Sequence, residues 1–60
     1  MYYNKDDIVL ILDEGEWYGL YGIVEGFVND MPYVFCIQKP CYRYIITDKV
    51  KEFILKVKLK

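Results

Sequence analysis

Residues 7–24 read as an apolar strand, a glycine-punctuated loop and a second apolar strand, and that order leaves few folds open to so short a chain. Asp7-Ile8-Val9-Leu10-Ile11-Leu12 is followed by Gly15-Glu16-Trp17-Tyr18-Gly19-Leu20-Tyr21-Gly22-Ile23-Val24. Two apolar runs joined through glycines are how a very small β-barrel begins. The full length of 60 residues gives one domain, 1–60, and no linker, repeat or low-complexity segment divides it. A chain of this size buries only about 60% of its unfolded surface, so its core needs reinforcement. Seven Tyr, three Phe and Trp17 supply it, since aromatic rings bury a large area per residue. Val, Ile, Tyr, Phe, Trp and Thr make up 25 of the 60 residues, and Ala, the best helix former, is absent. The fold class is all-β.

The chain divides into five strands. The first runs from Asp7 to Leu12, and Asp13 to Gly19 is a polar, acidic loop. The second, Leu20 to Val28, is long enough to bend, with Gly22 and Gly26 the natural places for a bulge. Asn29-Asp30-Met31-Pro32 reads as a turn, because Asn and Asp tolerate turn dihedrals and Pro32 lacks a backbone donor. The third strand covers Tyr33 to Gln38, Lys39-Pro40-Cys41 breaks it, and the fourth covers Tyr42 to Thr47. Thr47-Asp48-Lys49-Val50 is a single helical or 3-10 turn. In the last strand, Glu52 to Leu59, Phe53, Leu55, Val57 and Leu59 alternate with Ile54, Lys56, Lys58 and Lys60. That period of two puts the first set in the core and the second in solvent. Five short strands with one turn before the last make the plan of a five-stranded SH3-like barrel, bent at the glycines of strand two.

Val9-x-Ile11, Gly15, Gly22 seven residues later and Val24 resemble the KOW motif, found in NusG-type bacterial transcription elongation factors and in a large-subunit ribosomal protein. Arg43-Tyr44-Ile45-Ile46-Thr47-Asp48-Lys49-Val50 is similar to the closing segment of such barrels, where a strand leads through one turn into the last strand. The resemblance implies an SH3-like fold and association with RNA or the ribosome. The loop corresponding to the basic loop of ribosome-binding members is Asp13-Glu14-Gly15-Glu16, which is acidic, whereas phosphate contacts need Lys or Arg. Gly15-Glu16-Trp17-Tyr18-Gly19 followed by Glu25-Gly26-Phe27 also resembles the tryptophan-bearing stretch of peptide-binding SH3 domains. The aromatic strand that those domains carry ahead of it has only Met1-Tyr2-Tyr3 as a counterpart.

Composition argues against catalysis. With no His and no Ser, Ser-His and Cys-His nucleophile pairs are excluded. The acids Asp13, Glu14 and Glu16 lack the spaced oxygen ligands of a Ca²⁺ loop and read as a solvated acidic loop. Cys36 and Cys41, five apart, form no zinc site without a second ligand pair, so neither metal nor cofactor is expected. A disulfide across their short loop is geometrically feasible, while a cytoplasmic location favours free thiols. That location is the expectation for a chain in which Met1 to Asp7 precedes only five consecutive apolar residues, far short of the ~20 that span a membrane. Brevity and the Ile-, Lys- and Tyr-rich composition suit a bacterium, or one of its viruses or plasmids.

The net charge of −1 hides a polarity: residues 1–30 sum to −6 and residues 31–60 to +5. In a barrel the halves interleave, so the charges meet as cross-strand pairs or else segregate into an acidic and a basic face. Three functions remain. The leading one is a small non-enzymatic module that binds another protein through Trp17, Tyr18, Tyr21 and the acids Asp13, Glu14 and Glu16, suited to a basic or proline-containing segment. Trp17 and Tyr18 either fold over the barrel mouth as a lid or stand toward that partner. The second is KOW-like RNA or ribosome binding through Lys39, Tyr42, Arg43, Tyr44, Lys56, Lys58 and Lys60, with Tyr42 and Tyr44 on one face of a strand and Tyr33 joining them across the sheet. The third is a viral or plasmid inhibitor that occupies the charged groove of a host enzyme. Self-association through exposed strands is compatible with each.

Overall fold

A computed structural model describes residues 2–57. The chain is all-β: five antiparallel strands curl into a half-barrel, with one 3-10 turn before the last strand. The strands are β1 (Ile8–Ile11), β2 (Tyr21–Val28), β3 (Met31–Phe35), β4 (Tyr44–Ile45) and β5 (Ile54–Val57). They lie in the order β4-β3-β2-β1-β5, so the long β2 is central and the short β4 and β5 form the edges.

Each connection follows from local chemistry. Asn29 and Asp30 both take positive φ, 50° and 65°, the conformation a two-residue hairpin needs to match the twist of its strands. Val28 therefore pairs with Met31 directly, and β3 starts two residues earlier than expected. Pro32 is inside the strand, buried and opposite Phe27. Its carbonyl accepts from the Ile46 N–H at 2.9 Å, so its hydrogen-bonding side faces the end of β4 and no β2–β3 bond is lost to the missing donor. The bulge in β2 lies between Val24 and Gly26, at Glu25. Gly22 serves close packing instead: a Cβ there would collide with Val34 Cγ1 and come within 2.8 Å of Cys36 Sγ.

The core fills the concave side of the sheet. Val9, Ile11, Val24, Val34 and Cys36 are completely buried, with Ile46, Ile54 and Tyr3 nearly so. Tyr3, in a segment that carries no strand signal, is thus part of the core.

The last strand corrects the expected phase. The turn at Thr47 to Val50 forms, with Val50 and Lys51 N–H groups donating to Thr47 O at 3.1 and 3.0 Å, and then continues as a 3-10 turn over Lys51–Phe53. That extension takes Glu52 and Phe53 out of the strand. Pairing of Ile54 with Ile11 and of Lys56 with Val9 turns Ile54 and Lys56 to the concave side, while Phe53 and Leu55 are 44% and 53% exposed. Leu59, Lys58 and Lys60, the rest of the expected alternation, lie outside the described residues.

The convex side is unusually apolar as a result. One row across the sheet is Val57, Ile8, Ile23, Phe35, and the next begins Leu55, Leu10, Tyr21. The register makes a direct prediction. Ile54→Ala should lower stability by roughly 2–5 kcal/mol, the cost of emptying a core site. Phe53→Ala should cost about 1 kcal/mol or less, in the manner of a surface change. Thermal melting of the two variants checks it, and the opposite ranking would place β5 one residue out of register.

Candidate functional site

The loop that follows β1 carries the residues selected as a protein-binding surface. Its ends are tied by Gly19 N–H to Ile11 O at 2.7 Å and Ile11 N–H to Leu20 O at 3.0 Å. Gly19 has φ +81°, a conformation that a residue with a Cβ adopts only with strain. Within the loop, Tyr18 N–H donates to Gly15 O at 3.3 Å and Leu20 N–H to Trp17 O at 3.2 Å.

Trp17 resolves to the lid: it is half-buried and packs against the core together with Leu20 and Tyr44. Its ring lies 5.4 Å from that of Tyr44, tilted by 54°, and Lys39 Nζ stands 5.7 Å from its centroid. The Tyr44 hydroxyl donates to Asp13 Oδ2 at 2.9 Å, which pins the start of the loop to β4. Burial pushes the Tyr44 phenol up, and the hydrogen bond and negative charge of Asp13 push it further. Glu16 is 3.5 Å from Lys39 Nζ, in a pair whose carboxylate is 85% exposed, worth at most about 1 kcal/mol.

Tyr18 behaves differently from its neighbour. It is 58% exposed and lines a shallow groove with Leu12, Phe53, Asp13 and Glu14. The groove joins three partly exposed apolar side chains to two carboxylates. Tyr21, 57% exposed, belongs elsewhere, on the convex face opposite Leu10. The six residues therefore fall into three places: a lid of Trp17 with Asp13 and Glu16, a groove with Tyr18, Asp13 and Glu14, and Tyr21 on the sheet.

The basic candidates are more widely separated. Tyr42 is 66% exposed but precedes β4, whereas Tyr44 is half-buried on the concave side opposite Val34. Tyr33 pairs with Ile45 and so faces the convex side, and the expected tyrosine platform does not assemble. Arg43 Nε donates to Glu25 Oε1 at 2.7 Å, its Nη1 donates to the carbonyls of Pro40 and Tyr42, and its guanidinium lies 4.7 Å from the Phe35 ring centroid. Lys56 donates to Tyr2 O at 2.7 Å, sits 3.4 Å from Asp7 Oδ2 and covers the Tyr2 ring at 4.6 Å. Asp7 is held below the usual carboxylate range, first by the Asn4 N–H on Oδ2 at 2.8 Å and then by Lys56. Lys39, Arg43 and Lys56 each meet an acid from the first half of the chain, so the opposite charges of the two halves are joined across the fold. Lys58 and Lys60 lie outside the described residues.

Cys36 and Cys41 are both free thiols; Cys36 is buried and pushed up by that burial, while Cys41 is exposed. Among the described residues no three His, Cys, Asp or Glu side chains converge on a point that could hold a metal ion, and no helix is long and apolar enough to cross a membrane. Comparison with protein-family models, with curated proteins and with solved structures found no match to this chain.

The Tyr44–Asp13 contact is open to spectroscopic test. A phenol whose folded value is raised stabilises the fold below its ordinary value near 10 and loses that contribution as pH rises through the folded value. In an ultraviolet titration followed alongside circular dichroism, Tyr44 and Tyr3, also raised by burial, should ionise last. Tyr44→Phe should remove part of that late amplitude, and Asp13→Asn should bring it to lower pH. An unchanged late phase in both variants would show that the loop is not anchored at Asp13.

Proposed function

We propose that this chain is a small non-enzymatic binding module that docks a segment of another protein in the groove beside Tyr18. The observation that carries the reading is the division of labour between adjacent aromatics. Trp17 is half-buried against the core and the Tyr44 ring, and the Tyr44 hydroxyl separately ties Asp13, so the loop is anchored at two points. Tyr18, next in sequence, is left 58% exposed above Leu12 and Phe53, beside Asp13 and Glu14. An exposed tyrosine beside two apolar side chains and two carboxylates suits a partner segment that alternates apolar or proline residues with Lys or Arg. The lack of His and Ser supports a binding role over a catalytic one.

The KOW-like alternative draws on the likeness in the Gly15, Gly22 and Val24 spacing. Its cationic contacts are weakened here, since Lys39, Arg43 and Lys56 are each occupied by a carboxylate. Each of these three cations would have to exchange its carboxylate for a phosphate, which reduces the gain from counterion release at those positions. An inhibitor of a host enzyme would be a special case of the protein-binding reading, using the same acidic groove.

A nitrogen–proton NMR titration separates these readings. A proline-containing peptide bearing several Lys and Arg residues should shift Leu12, Glu14, Tyr18 and Phe53, and Tyr18→Ala should weaken that binding about tenfold, or 1.4 kcal/mol. Absence of shifts with the peptide, together with salt-sensitive shifts at Tyr42 and Arg43 on adding single-stranded RNA, would replace this reading with the nucleic-acid one.

A further inference from the structure

We propose that the convex face of the sheet is a self-association surface, on which a second copy of this chain packs face to face. The argument begins with what the two rows contain. Val57, Ile8, Ile23 and Phe35 lie side by side across four strands, and Leu55, Leu10 and Tyr21 continue the pattern one step along. Ile37, 77% exposed, joins Tyr21 and Phe35 around a shallow hollow on the same face. No charged side chain belongs to either row. Among the described residues the bordering charges include Arg43 and Glu25, bound to each other at 2.7 Å beside Phe35, and Lys5 and Asp6, which line a hollow with Ile23 and Glu25.

Extent is the second consideration. Tyr21, Ile37 and Leu55 are 57%, 77% and 53% exposed, and with their half-buried neighbours they present on the order of 600 Å² of largely apolar surface, the upper end of what the largest patch on a monomer reaches. Two such faces together would bury about 1,200 Å², the lower end for specific complexes, which makes this a weak dimer filled at high protein concentration.

Charge and symmetry select a second copy as the occupant. A net charge of −1 leaves little repulsion between copies, and a charge-free face meets its own image without burying an unpaired ion. A two-fold axis parallel to the strands and between β1 and β2 would set β5 of one copy over β3 of the other, matching Val57 to Phe35 and Ile8 to Ile23. The sheet edges are poorer routes. β4 has only two residues, and β5 carries Lys56 turned inward, which discourages strand addition.

Analytical ultracentrifugation of the 60-residue chain from low micromolar to millimolar concentration tests this. The weight-average mass should rise from 7.2 kDa toward twice that value, and added salt should not reduce it, as befits an apolar contact. Leu55→Glu and Ile37→Lys, both at exposed positions and checked for folding by circular dichroism, should each weaken association at least about tenfold. Tyr18→Ala, outside both rows, should leave it unchanged, which keeps this test separate from that of the loop groove. A mass fixed at 7.2 kDa throughout, association lost on adding salt, or association untouched in a folded variant of both kinds would overturn the proposal.

Discussion

Pairing of β5 with β1 sets which side of this sheet is the inside. The segments Ile8–Ile11 and Ile54–Val57 offer apolar residues in both phases, so neither strand by itself decides which residues turn inward. Opposition of Ile11 to Ile54 and of Val9 to Lys56 settles the matter, because a slip of one residue would send every side chain of β5 to the other face. The 3-10 turn at Lys51–Phe53 holds that register in place, since Leu12 N–H donates to Phe53 O at 2.8 Å just ahead of the pairing. A lysine drawn to the concave side at the sheet edge is tolerable because its amine reaches Asp7 and the Tyr2 carbonyl while its stem covers the Tyr2 ring.

The opposite face follows from the same choice. With Val9, Ile11, Val24, Val34 and Ile54 spent on a core that a short chain can barely afford, Ile8, Leu10, Ile23, Leu55 and Val57 stand on the convex side. An antiparallel sheet with one solvated face ordinarily alternates apolar with polar residues. Among the described residues this one carries its charges at the border, where Arg43, paired with Glu25, lies over Phe35 and where Lys5 and Asp6 flank Ile23. The two proposed interaction surfaces differ accordingly. The groove at Tyr18 combines apolar contact with negative charge and suits a basic segment, whereas the convex face has only shape and apolar area to offer.

The sequence makes the class and strand count legible because composition and glycine placement constrain them together. Asn29-Asp30 marks a hairpin, and Thr47 to Val50 a turn, since both use residues whose side chains or dihedrals favour local reversal. The phase of β5 was not legible. Alternation of Phe53, Leu55, Val57 and Leu59 with lysines is a strong period-two signal, yet three consecutive residues at Lys51–Phe53 coil and shift the strand's start. Pro32 misled for a related reason, as its missing donor points past the last paired residue of the two-residue edge strand β4, where no ladder bond is lost. Of the site residues, the exposed Tyr18 and the half-buried Trp17 are sequence neighbours with the same apparent character, and it is the packing of Trp17 against the core and the Tyr44 ring that tells them apart. Tyr3 left no periodic signal because it enters the core from an irregular segment.

The most direct measurement is a set of cross-strand proton contacts in a two-dimensional nuclear Overhauser spectrum of the isotope-labelled chain. The account predicts backbone contacts linking Val9 with Lys56 and Ile11 with Ile54, together with side-chain contacts from Lys56 to the Tyr2 ring. Contacts linking Val9 instead with Leu55 or Val57, with the Phe53 ring against Val24 and Val34, would contradict the register and with it the apolar convex face.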